Sequence, residues 1–111
     1  MKDRPYDLYV EDILESIEKI ENYIGGLEYE EFSKNTMVID AVIRNLEIIG
    51  EASKHVPDDV RDNYPEIPWK RMIGLRNIVI HEYFGVDIEI VWRIITINLQ
   101  EVKPFIEKMK A

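Results

Sequence analysis

The sequence predicts an all-α fold, an antiparallel bundle of four helices with one short extra helical turn. Three observations carry this. From Tyr6 to Ile24, apolar side chains recur at steps of four and three, the spacing of a helical seam. No segment alternates apolar and polar residues for long enough to make a half-buried strand. Gly25, Gly26, Pro57, Pro65 and Pro68 fall between periodic stretches, where a chain turns.

The first helix is expected from about Pro5 to Ile24, with Tyr6, Val10, Ile13, Ile17, Ile20 and Ile24 along its seam and Gly25-Gly26 stopping it. The second is expected from about Phe32 to His55. At about 100° per residue, Arg44, Glu47, Glu51, Lys54 and His55 gather on one narrow face, while Ala41, Val42, Ile43, Leu46, Ile48, Ile49, Gly50 and Ala52 cover most of the rest. That is too much apolar surface for one neighbour, so this helix is either central in the bundle or covered by a second subunit. One short turn is expected after Pro57. The third helix is expected from Pro68 to about Tyr83 or Phe84, ending at Gly85. Asp87 is placed to cap the fourth, with Val86 and Val91 as the flanking staple. The face Ile88, Val91, Trp92, Ile95, Leu99, Val102 carries that helix to Lys103, and Pro104 is expected to kink or end it.

A chain of 111 residues has room for one domain but little for a deep private cleft. The absence of cysteine removes disulfides, thiolate metal sites and cysteine nucleophiles, and it fits a reducing cytosol. No apolar run approaches the roughly 20 residues of a membrane span, and the start MKDRPYDLYVED lacks a signal-peptide core. The reading is a soluble, cytoplasmic protein. A net charge of −8 counts against general nucleic-acid binding through a long-range field. Yet residues 68 to 81 carry Lys70, Arg71 and Arg76 with no acid, which leaves −11 on the remainder.

Within that basic stretch lies RNIVIHEYFG, residues 76 to 85. On a helical wheel Lys70, Gly74, Asn77 and His81 share one stripe. Arg76 falls about 140° from His81, between Met72 and Trp69 on the apolar side. A charge there must be paired, solvated by a cleft, or used. Taken singly, Arg76, His81 and Tyr83 also suit plain structural hydrogen bonding near a helix end. Gly74 marks a close helix contact or room left open. Glu47 and Glu51, four apart, are expected on a solvated face with Arg44 and Lys54 as partners, and no histidine pattern completes a metal site around them. His55 reads as a C-terminal helix residue without chemistry.

RNIVIHEY fits R-x4-H-x-Y, and RNLEIIGEASKHVP followed by YPEIPWKRMIGLRNIVIHEYFGVD surrounds it. These segments resemble the HEPN superfamily, and within it the HepT toxins of HepT/MntA toxin–antitoxin pairs. The likeness is close from Ala41 to Trp92. It implies a dimeric, metal-independent endoribonuclease with no cofactor, in which Arg76 and His81 are catalytic and Asn77 supports them. RNA supplies its own 2'-hydroxyl nucleophile, so the protein has only to move protons through His81 and hold phosphate through Arg76. The separation of the two on the wheel places such a site between two copies of helix three. The resemblance further implies that Tyr83 is AMPylated by an MntA-like nucleotidyltransferase antitoxin. A non-catalytic module that binds a nucleotidyltransferase or nucleotide is the alternative. A purely structural bundle leaves the Arg76, Asn77 and His81 patch without purpose.

Overall fold

The structure, a computed structural model, describes residues 4–82 and 87–110, with side chains at all of these except 78–82. The periodic stretch at the start forms α1 (Tyr6–Ile24), burying Val10, Ile13, Leu14, Ile17 and Ile20, and Gly25 ends it with a positive φ. The expected second helix is two helices, α2 (Tyr29–Lys34) and α3 (Thr36–Lys54). Asn35 makes the break. It leaves helical geometry at φ −102°, ψ 90°, and its side-chain oxygen accepts the Val38 N–H at 3.1 Å, which starts α3 afresh. The turn expected after Pro57 is α4 (Asp58–Asp62), and α5 (Trp69–Glu82) follows.

Asp87 caps α6 (Ile88–Arg93), accepting N–H bonds from Glu89 and Ile90. The expected partner in its staple, Val86, lies outside the described residues, as do Tyr83, Phe84 and Gly85 at the expected end of helix three. After α6 the chain widens for one turn, Ile94–Asn98, in which Leu99 N–H reaches the Ile94 carbonyl five residues back. It then continues as α7 (Leu99–Lys110). Pro104 sits inside α7 and does not end it. A proline costs about 3 kcal/mol in a helix interior, but Val102, Ile106 and Met109 on either side of it are buried, and that packing outweighs the local penalty.

Lateral packing runs α5, α3, α1, α7, each of the long elements against the next. The fourth-helix face is seated as expected, with Val91, Ile95, Leu99 and Val102 buried and Ile88 and Trp92 packed beside them. Short α2 leans on α3 and α6, where Phe32 and Tyr29 meet the Trp92 ring at 4.9 and 6.0 Å. Lys103 on α7 donates to both oxygens of Glu21 on α1 at 3.0 and 3.1 Å. That hydrogen bonding holds the Lys103 ammonium above its ordinary pKa. Among the described residues there is no strand, and no helix is long and apolar enough to cross a membrane.

The wide apolar arc of the second predicted helix resolves in favour of a central position. Helix α3 has α1 on one side and α5 on the other, and Val42, Leu46 and Ile49 are among its buried residues. A second subunit is not needed to cover it. The α3–α5 crossing is closest at Gly50, where an added Cβ would stand 2.7 Å from the Arg76 backbone nitrogen and 3.0 Å from the Arg76 Cβ. Alanine at position 50 gains about 1 kcal/mol of helix propensity but forces backbone apart. We expect Gly50→Ala to lower stability by a net 1–3 kcal/mol, roughly the cost of overpacking, as a lower urea unfolding midpoint with an unchanged slope.

Candidate functional site

Helix α5 carries the site, and its first turn is tied to the connector before it. Ile67 and Trp69 are buried. The Trp69 indole N–H donates to the Tyr64 carbonyl at 3.1 Å, and the Met72 N–H reaches the Pro68 carbonyl at 3.0 Å. Trp69, Met72 and Leu75 then face the core. Opposite them Lys70 and Asn77 are exposed, so the polar stripe predicted on the wheel faces solvent at both described ends. Gly74 on that stripe leaves room open, since an added Cβ there would meet nothing within 4 Å.

Arg76 turns the other way, against α3. Its Nε stands 2.8 Å from Oε1 of Glu51, with the two side chains 44% and 46% exposed. Oε1 itself is shielded from solvent, yet the contact lacks the angle of a directed hydrogen bond. Charge holds the pair. A half-exposed ion pair contributes about 0–1 kcal/mol, so its effect is on orientation more than on stability. The other oxygen of Glu51 lies 3.5 Å from Nε2 of His55. The His55 ring stacks on Tyr9 of α1, with centroids 5.1 Å apart and planes 19° apart. Arg4 lies over the Tyr9 ring, 4.7 Å from its centroid, and 2.7 Å from Asp12 Oδ2. A run of contacts thus crosses from α1 through α3 to Arg76.

Glu51 corrects the sequence reading. It was expected on a solvated face with Arg44 and Lys54, but its neighbours are Arg76 and His55, because the last turns of α3 lie beneath α5. His55 does sit at the C-cap of α3 as expected, and it also contacts Glu51 and Tyr9. The sequence held one pointer to this arrangement. A glycine deep in a helix signals close approach, and the residue after it flanks whatever crosses there. Of the predicted catalytic set, Arg76 and Asn77 occupy adjacent directions on α5, one toward α3 and one toward solvent. The side chain of His81, and Tyr83 entirely, lie outside the described residues.

Beside α5, a groove of about 550 Å³ separates it from the Ile94–Asn98 turn and α7. Met72, Leu75, Leu99, Val102 and Phe105 are among its apolar lining, and Arg71 and Glu101 are among its polar lining.

A family profile described as Ribonuclease HepT-like matches residues 13–109. The chain belongs to the HepT-like ribonuclease family. Among its HepT-like relatives, "Putative RNase MJ1380" of Methanocaldococcus jannaschii is 43% identical over 96% of this chain and 98% of its own length. "Probable ribonuclease HepT" of Thermococcus cleftensis is 42% identical over 96% of this chain and 97% of its own. The "mRNA nuclease HepT" of Shewanella oneidensis is 26% identical over 86% and 88%. No solved structure matches.

Proposed function

We propose that this chain is a metal-independent endoribonuclease, the toxin of a HepT/MntA toxin–antitoxin pair. In this reading it is a single HEPN domain whose long helical elements, α1, α3, α5 and the α6–α7 rod, form the antiparallel four-helix bundle of that superfamily. It acts in the cytoplasm as a homodimer. The observation that carries the reading is the intact R-x4-H-x-Y series of a HepT-like chain, with Arg76 and His81 on α5. The setting of Arg76 supports it. A guanidinium gripped through Nε still offers its two terminal nitrogens as a fork for a phosphate.

The chemistry is in-line attack of the RNA 2'-hydroxyl on the adjacent phosphate. An imidazole ordinarily exchanges its proton near neutral pH, and His81 is the group that takes the hydroxyl proton or supplies one to the leaving 5'-oxygen. Arg76 holds the phosphate as negative charge builds, and the exposed Asn77 amide orients the imidazole or the phosphate. Expressed without an antitoxin, the protein should slow growth and cleave RNA with chelator present. His81→Ala and Arg76→Ala should remove both effects while leaving the far-UV circular dichroism unchanged. Wild-type cleavage no faster than that of these variants would favour the non-catalytic binding module.

For the dimer we propose the groove beside α5, since α3 is already covered within the chain. Half-buried Ile94 and Phe105 border its apolar lining, and a helix of a second copy would cover them. Sedimentation should give twice the 13.2 kDa chain mass at micromolar concentration. A monomer would remove both the dimer and a shared cleft.

Regulation in this reading is AMPylation of Tyr83 by an MntA-like nucleotidyltransferase. An adenylate adds negative charge and bulk two residues from His81, where it competes for Arg76 with the substrate phosphate. Given ATP, Mg²⁺ and the nucleotidyltransferase, wild-type protein should gain mass in steps of one AMP and lose activity in parallel. Tyr83→Phe should keep most of its RNase activity and gain no mass. AMP found on another residue would take Tyr83 out of this role.

A further inference from the structure

Glu51 has a fixed place beside Arg76, and neither the family match nor the R-x4-H-x-Y series assigns it one. It could compete with RNA for Arg76, or it could aim Arg76 at RNA. Three observations decide between these. The closest contact is made through Nε, the inner nitrogen, at 2.8 Å, so this pairing does not use the fork of the two terminal nitrogens. The carboxylate is not loose, because Oε1 is shielded from solvent and Oε2 has His55 Nε2 at 3.5 Å, with the His55 ring seated on Tyr9. The backbone at Arg76 is pressed against Gly50, the residue before Glu51, so helix and side chain are fixed by neighbouring residues of α3.

We infer that Glu51 is a positioning residue for phosphate binding, whose charge beside Nε holds the Arg76 guanidinium against α3 and leaves its terminal fork to the RNA backbone. Glu51 touches no substrate. It acts through Arg76, with His55 standing beside the second carboxylate oxygen at 3.5 Å. An arginine left unsupported spreads over many rotamers, and phosphate must then order it on binding. A support already in place removes that cost from the transition state. The inference rests on the ribonuclease reading, but its test has parts that do not.

The isosteric Glu51→Gln variant keeps the volume and removes the charge that holds Arg76. In the full-length protein we expect an unchanged melting temperature and a fall in kcat/KM on a fluorogenic oligoribonucleotide of about ten- to a hundredfold, in the range of an ångström-scale misplacement. The fall should include a rise in KM, with partial recovery in Glu51→Asp. Binding of the same oligonucleotide with 2'-deoxy sugars, which cannot be cleaved, should weaken about as much as in Arg76→Ala. The Arg76 Nε–H resonance, assigned by its loss in Arg76→Lys, should be resolved in wild type and broadened into exchange with water in Glu51→Gln.

Tighter binding with equal or faster cleavage in Glu51→Gln would make Glu51 a competitor and overturn the inference. Wild-type kcat/KM in that variant, or an unchanged Arg76 resonance, would overturn it as well. Should wild-type protein cleave no RNA at all, the ribonuclease reading fails by itself, and the uncleavable ligand and the resonance still decide the role of Glu51.

Discussion

The architecture turns on the place where α5 lies against Gly50. Helices pack at 8–10 Å when ordinary side chains separate them, and a Cβ at position 50 would fall within 2.7 Å of the Arg76 backbone nitrogen. Glycine lets the two axes draw together at one point. At that point the residue after the glycine meets the residue whose backbone it admits, and the pairing of Glu51 with Arg76 follows from the approach. The burial of Met72 and Leu75 on one side and Ile49 on the other depends on the same spacing.

Much of the fold was legible in the sequence because it rests on local pattern. The seam of α1, the Asp87 cap and the buried face from Val91 to Val102 follow from helical period and capping chemistry alone. Where the reading went wrong, a single side chain had outvoted the pattern or packing had outvoted propensity. Asn35 splits the second predicted helix because its amide can cap a new one. Pro104 lies inside α7 because its neighbours Val102 and Ile106 are held in the core. Neither outcome has a periodic signature. The site was legible in the same uneven way. The solvent side of α5, with Lys70 and Asn77, came from the wheel. Glu51 did not, because its partners come from crossing helices, which no spacing within one helix encodes.

The charge of the molecule gains meaning from the site. A chain at −8 has little long-range pull on RNA, so binding must come from short-range contacts to a few phosphates. In that regime the direction of one guanidinium matters more than the number of cations. An acid next to it then becomes a tolerable neighbour. The carboxylate lowers the local potential, but the orientation we propose it gives is specific to one phosphate position.

The lateral order of the helices has a consequence for how the molecule opens. Helix α3 shares its buried faces between α1 and α5, while α5 has α3 as its principal neighbour among the described residues. Separating α5 from the rest disrupts essentially one packing surface, whereas separating α1 disrupts two, against α3 and α7. Native-state hydrogen exchange would therefore divide the chain into an outer unit and an inner one. Backbone amides of α5 exchange through a partial opening, while those of α1 and α3 wait for global unfolding. The segment that bears the candidate chemistry is thus held to the rest through one principal packing surface, that against α3.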